Sequence, residues 1–190
     1  ICDSYSTGAL YDFVSRSENL EEYRNILESL ADQKQNWTYI INDIMKERGL
    51  SASKMAELCG VSRQSVQKWL KGSVPKSRET YIKIGFAAHY NLKQMNYFLQ
   101  RYGCVNKLYP KYLEDSVCIF VLSSDCIEHS YQACEKVINM IKNEIFDDVP
   151  RSEGKEYTTS ALELDITNLR SLQEMVSFVK EHAQMYKQKL

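Results

Sequence analysis

The alternation of apolar and polar positions in residues 50–72 predicts two short helices joined by a tight turn. Apolar residues recur at steps of three and four in each half, which gives each helix one inward face. These positions are Met55, Ala56, Cys59, Val61, Val66, Trp69 and Leu70. Gly60 divides the two faces and can end the first helix at a positive φ, while Ser62 can cap the second. The turn is therefore specified by local residues.

The helical period continues on both sides of this pair and predicts a chain that is almost entirely helical. Residues 37–48, capped by Asn36, form one predicted helix before the pair, and residues 77–89 and 91–100 form two after it. Only seven glycines and three prolines occur in the 190 residues, so few positions interrupt a helix. We therefore expect five helices between residues 37 and 101.

The outward side of the second short helix carries long donors and amides. These residues are Arg63, Gln64, Ser65, Gln67 and Lys68. Such side chains pair with guanine and adenine edges in the major groove of DNA. The alternative is a solvated polar face, which is common on surface helices.

Seven positions of this region fall in register with a known family pattern. They are Ala56, Gly60, Val61, Ser62, Val66, Trp69 and Gly72. Through them, residues 37–101 resemble the Cro/cI/Xre family of helix-turn-helix DNA-binding proteins. The resemblance implies a five-helix lambda-repressor-like domain whose recognition helix, about residues 63–71, lies in the major groove of double-stranded DNA.

The resemblance also implies which side chains of the recognition helix meet DNA. Ser62 would contact a phosphate, and Lys68 would reach either a phosphate or a base edge. The residues that would face base edges are Arg63, Gln64 and Gln67, with Ser65 beside them.

Phosphate contacts are expected on both sides of that helix. Lys71, Lys76 and Arg78 follow it, in a loop that lies beside the DNA backbone in this family. Many relatives place a phosphate-clamping Gln at the first position of the preceding helix, whereas this chain has Ala52 there. The neighbours that could replace that contact are Ser51, Ser53 and Lys54.

The distribution of charge supports a phosphate-binding region independently of the motif. The whole chain has 24 basic and 25 acidic residues and a net charge of −1. Residues 37–101 contain eleven Lys or Arg and four Asp or Glu, a net charge of +7, while residues 1–36 and 102–190 each carry −4. A basic module between acidic ones is expected of a chain that binds nucleic acid through one domain.

The flanking segments predict further helices. Residues 1–36 form a predicted N-terminal helical extension, with one helix over 19–31. Residues 102–190 form a predicted C-terminal helical bundle domain, which would serve dimerisation, sensing or the binding of a protein partner. Its first helices are predicted over 113–122 and 130–146. The chain begins at Ile1 rather than Met, and we expect a processed or truncated terminus.

A final helix is predicted from about residue 167 to the end, after a capping-box pattern at Ser160 and Glu163. Its apolar residues follow a heptad stripe: Leu169, Leu172, Val176, Val179, Ala183, Tyr186 and Leu190. Such a stripe is typical of a dimer seam, but further apolar residues widen it and favour a helix packed inside the C-terminal domain. A homodimer is expected on functional grounds, because one recognition helix makes few base contacts.

The sequence gives little support to metal, cofactor or membrane functions. Six cysteines occur without a CxxC pair, and only Cys126, His129 and Cys134 are spaced so that they could approach one another. Reduced thiols in a cytoplasmic protein are the default expectation, so we predict no metal and no cofactor. The longest apolar run, residues 117–122, is too short for a bilayer, and no membrane association is expected.

Two functional classes follow, and an enzyme is not among them. The three histidines, at 89, 129 and 182, lie in separate predicted helices, and no nucleophile motif, phosphate loop or paired-carboxylate pattern occurs. The first class is a sequence-specific DNA-binding transcriptional regulator that acts as a dimer. The second is a protein-interaction module, antitoxin-like or scaffold-like, that uses the helix-turn-helix fold for docking.

Overall fold

The computed structural model describes residues 37–145 and 158–186, which form helices joined by turns and loops. No strand occurs in these two stretches, and the all-α prediction is confirmed. The described residues of the first compact unit are 37–88 and 97–105, here called the helix-turn-helix unit. Those of the second, the C-terminal unit, are 89–96 and everything described from 106 onward. The helix predicted over 19–31 and the Asn36 cap lie outside the described residues.

Five helices lie between residues 37 and 101, as the sequence predicts. The described part of α1 covers 37–47, and the next four are α2 Ala52–Cys59, α3 Arg63–Leu70, α4 Arg78–Ala87 and α5 Leu92–Arg101. Their ends agree with the predicted ones to within two residues, which is the ordinary uncertainty of a helix boundary. Whether the domains begin and end where predicted stays a prediction.

Each short helix of the helix-turn-helix unit starts at a serine cap. The hydroxyls of Ser51, Ser62 and Ser77 accept hydrogen bonds from the N–H groups three residues on, at 3.1, 3.1 and 3.2 Å. Before α5, Asn91 and Gln94 cap each other's backbone N–H groups at 2.9 and 3.0 Å. These contacts satisfy N–H groups that have no partner inside the helix.

An aromatic cluster forms part of the core of the helix-turn-helix unit. Trp37 meets Tyr81 edge to face, with ring centroids 5.5 Å apart, and Phe98 lies 6.3 Å from Trp37 and 6.1 Å from Tyr81. All three side chains are buried, as are Ile41 and Met55. Because the cluster joins α1, α4 and the end of α5, it holds the frame against which α2 and α3 are presented.

The C-terminal unit is built around one apolar helix. Its helices are α6 Leu113–Ser123, α7 Tyr131–Ile145, α8 Thr159–Asn168, α9 Leu172–Glu181 and α10 Ala183–Tyr186. Every side chain from Val117 to Leu122 is buried, and α6 contacts α7, α8 and α9, which explains why it is apolar on all sides. Among the helices of residues 37–145 and 158–186, none combines the length and apolar character needed to cross a bilayer.

Two predictions about the end of the chain are wrong. Ser160 lies inside α8, which begins earlier because Thr158 caps it, with the Ala161 N–H donating to the Thr158 hydroxyl at 3.3 Å. The final helix is not continuous: a second capping pattern starts α9, where Ser171 accepts from the Glu174 N–H at 3.1 Å. A carboxylate oxygen of Glu174 in turn accepts from the Arg170 N–H at 2.7 Å, so these polar contacts end the helical run before Leu172.

The proposed heptad seam is also wrong as a continuous stripe. Leu169 lies in the break between α8 and α9, and His182 separates α9 from α10. The described members of the stripe from Val176 to Tyr186 are buried inside the C-terminal unit, where the Tyr186 hydroxyl lies 3.1 Å from the Ser116 hydroxyl. The structure therefore favours the other interpretation, a helix packed within its own unit.

Candidate nucleic-acid interface

The turn between α2 and α3 is made by the residues that the sequence indicates. Gly60 adopts φ +63° and ψ +35°, and the Val61 N–H donates back to the Ala56 carbonyl at 3.0 Å. Together with the bond from the Gly60 N–H to the Glu57 carbonyl, this is the glycine-ended helix terminus expected from the motif. Ser62, two residues after Gly60, returns to an extended conformation and caps α3, which begins at Arg63.

Gly60→Ala is expected to lower the free energy of unfolding by about 1–2 kcal/mol, because a non-glycine residue is strained at this φ. Space is not the cause, since an added Cβ would meet only Lys83 Nζ, at 3.8 Å. Urea denaturation followed by circular dichroism measures the change. Gly60→Asn is the control, because asparagine tolerates a positive φ better than alanine. Equal losses in the two variants would contradict this explanation.

Helix α3 is fixed by two buried side chains and presents its long polar side chains to solvent on the opposite face. Val66 is fully buried and Trp69 is 5% exposed, so one face of the helix is held in the core. The opposite face carries the exposed residues Arg63, Gln64, Gln67 and Lys68, and Lys71 follows at the end of the helix. The structure thus brings the predicted base-contacting side chains to one exposed helix surface, at spacings of three and four residues.

Ser62 and Ser65 have a local role in addition to the predicted contact. The Ser62 hydroxyl accepts from the Ser65 N–H, and the two hydroxyl oxygens lie 2.9 Å apart. One of the two hydroxyl hydrogens is therefore used between them. The other remains able to donate to a phosphate, so the pair offers one outward donor rather than two.

The start of α2 keeps its polar side chains accessible. The Ser51 hydroxyl oxygen accepts the capping bond of this helix, and its O–H can still donate to a phosphate. Ser53 and Lys54 are both exposed, and Lys54 Nζ forms an ion pair with Glu57 at 2.8 Å. Because both partners of this pair are well exposed, it is weak and a phosphate can displace it. Ser51, Ser53 and Lys54 therefore all remain candidates to replace the missing Gln at Ala52.

The basic residues after α3 differ in how exposed their side chains are. Lys71 ends the helix, and Gly72 and Ser73 donate to the carbonyls of Trp69 and Lys68 at 3.0 and 2.9 Å, which fixes the chain direction there. Lys76 is exposed, whereas Arg78 is half-buried and makes interactions within the protein. Lys71 and Lys76 are accordingly the more accessible of the three predicted phosphate contacts.

Thiol and imidazole groups show no arrangement for metal chemistry in the described residues. Cys59 is buried beneath the turn, and burial raises its pKa to about 12, so the thiol is neutral. Cys126 Sγ lies 2.9 Å from the Ser124 hydroxyl and His129 Nε2 lies 2.8 Å from the Ser124 carbonyl, while Cys134 is buried. No group of three or more His, Cys, Asp or Glu in residues 37–145 and 158–186 could hold a metal ion.

One surface next to the recognition helix was missed by the sequence analysis. A groove runs between α1 and the end of α3, lined by Thr38, Tyr39, Asn42, Asp43, Lys46, Lys71 and Gly72. The period of α1 shows that Tyr39, Asn42 and Lys46 share its outer face. The sequence alone does not reveal this surface, because the nearness of that face to the end of α3 is a tertiary feature.

Comparison with protein-family models agrees with this geometry. Residues 41–84 match the family model described as helix-turn-helix, and this stretch runs from within α1 to within α4. The segment is therefore a Cro/cI/Xre-type helix-turn-helix domain, the kind of domain found in DNA-binding regulators. No curated protein and no solved structure matches the chain in the other two comparisons.

Proposed function

We propose that this protein is a sequence-specific transcriptional regulator that places α3 in the major groove of double-stranded DNA. The observation that carries the proposal is the row of exposed side chains on α3, Arg63, Gln64 and Gln67 with Lys68, on a helix anchored by buried core residues. Arg and Gln read guanine and adenine edges with paired hydrogen bonds, and Lys68 adds charge. The net charge of +7 over residues 37–101 supplies the attraction that brings DNA to this surface.

We further propose that two copies act together on one DNA site. One recognition helix reaches only a few base pairs, and paired subunits would read half-sites about 10 base pairs apart. The C-terminal unit is our candidate for the dimer contact or for binding an effector or protein partner. The proposal needs no catalytic step and no cofactor.

Selection of bound duplexes from random and genomic fragments tests the proposal. We expect enrichment of one short motif, present as two inverted copies about one helical turn apart. The double variant Gln64→Ala, Gln67→Ala is the matched comparison, because both side chains are exposed and their removal leaves the buried anchors intact. It should enrich a weaker or different motif.

A second outcome would favour the alternative function. If the wild-type protein enriches no motif and Lys71→Ala leaves its binding to random duplex unchanged, the result favours the alternative, in which the helix-turn-helix unit is a protein-docking module. If a single half-site is enriched, the protein reads DNA but the dimer proposal fails.

A further inference from the structure

The groove between α1 and the end of α3 is continuous with the candidate interface. Lys71 belongs to both, since it ends the recognition helix and lines the groove. The two walls are close at its floor: a Cβ added at Gly72 would lie 3.4 Å from the Thr38 hydroxyl oxygen. The surface that begins on α3 therefore passes directly onto α1 within the same unit.

The side chains exposed along the groove are the kinds that contact sugar and phosphate. Tyr39 is 70% exposed, and Asn42 and Lys46 are exposed one and two turns further along α1. Hydroxyl, amide and ammonium groups are among those with which proteins contact the DNA backbone. Asn42 donates to the Thr38 carbonyl at 2.7 Å, but an amide carries two donors and can still donate outward.

The spacing of these groups suits an extended anion better than a small one. From Tyr39 to Lys46 the helix rises roughly 10 Å, at about 1.5 Å per residue. Groups spread over that length engage a polyanion, whereas a single small anion would be held by one end of the groove. Among the described residues that line the groove, Asp43 is the one acidic side chain; it is half-buried and would oppose a phosphate.

We infer that the DNA backbone continues from α3 into this groove, so that Tyr39, Asn42 and Lys46 contact sugar and phosphate outside the base pairs read by α3. This inference rests on the proposed DNA-binding function and extends it. It makes α1 a positioning element that sets the length of the site and adds affinity without adding sequence preference. It also predicts that Asp43 weakens the binding of DNA in the wild-type protein.

The test uses the full chain and two duplexes that carry the selected motif. One, the cut duplex, ends at the edges of the motif, and the other, the flanked duplex, has additional base pairs on both sides. Affinity and its salt dependence are measured for wild type, Lys46→Ala, Tyr39→Ala and Asp43→Asn. Lys136→Ala, an exposed charge loss on α7 of the C-terminal unit, is the control for net charge. Circular dichroism checks that each variant folds.

On the flanked duplex, Lys46→Ala should weaken binding about two- to fivefold, the size of an exposed ion pair, and reduce the salt slope by about 0.9. Asp43→Asn should strengthen binding by a similar factor. Both effects should shrink on the cut duplex, and Lys136→Ala should change neither duplex.

Three results would overturn the inference. In the first, Lys46→Ala and Asp43→Asn bind DNA as wild type does while Lys71→Ala weakens binding. The groove then does not contact DNA, and a protein is the candidate occupant. The proposed DNA-binding function is unaffected by this result. A general charge effect is indicated if Lys136→Ala behaves like Lys46→Ala. If Lys71→Ala also has no effect, the DNA-binding proposal itself fails.

Discussion

Trp69→Ala is expected to lower the free energy of unfolding by about 3–5 kcal/mol, the range for truncating a large buried aromatic side chain. Trp69 is 5% exposed and lies one turn beyond the fully buried Val66, so these two residues hold α3 in the core. Domains of this size are stable by only about 5–15 kcal/mol in total, so the loss is a large share. Urea denaturation followed by circular dichroism measures it, and DNA binding should be lost with the fold.

Two variants separate the loss of packing from the loss of a surface residue. Trp69→Phe keeps an aromatic ring and should cost less than the alanine variant. Gln67→Ala lies on the exposed side of the same helix and should leave the unfolding free energy within about 0.5 kcal/mol of wild type. A Trp69→Ala variant as stable as Gln67→Ala would show that the indole does not anchor α3.

The parts of the fold that the sequence predicts well are those set by local residues. Gly60 and Ser62 determine the turn, because Gly60 accepts a positive φ and Ser62 caps the next helix; the structure shows both in those roles. The division of α3 into buried Val66 and Trp69 and an exposed polar face follows from the helical period alone. Such features need no knowledge of what packs against them.

Competition between neighbouring signals explains the errors in the C-terminal unit. Thr158 and Ser160 can both cap a helix, and the structure uses the earlier one. Ser171 with Glu174 is a second capping pattern that was present in the sequence, but the apolar stripe across it favoured one long helix. A stripe records only which side is buried, and it does not distinguish a dimer seam from packing inside one chain.

The candidate interface was predictable as a list of side chains but not as a surface. The pairing of Ser62 with Ser65, which are three residues apart, uses one of their two hydroxyl donors, and the sequence does not show that this contact forms. The groove beside Lys71 depends on the approach of Thr38 to Gly72, which are far apart in the sequence. A tertiary contact therefore decides which side chains extend the surface beyond α3.

Arg63→Ala is expected to relax base preference, whereas Lys71→Ala should weaken binding to all sequences alike. Arg63 is exposed at the first position of α3, the end that reaches base edges in this type of docking. Loss of a paired hydrogen bond to a base costs about 1–3 kcal/mol of discrimination, which should appear at one or two positions of the motif. Lys71 lies at the far end of the helix, where a lysine meets phosphates.

Affinities for the selected duplex, for its single-base variants and for random duplex distinguish the two roles. For Lys71→Ala, the slope of log affinity against log salt should fall by about 0.9, the contribution of one phosphate contact, while the ratio of specific to random binding stays constant. For Arg63→Ala that ratio should drop and the salt slope should change less, because a base contact releases fewer counterions. The assignment of α3 to the major groove would be wrong if Arg63→Ala weakened every duplex equally, because a phosphate-contacting residue would then occupy the position that should read bases.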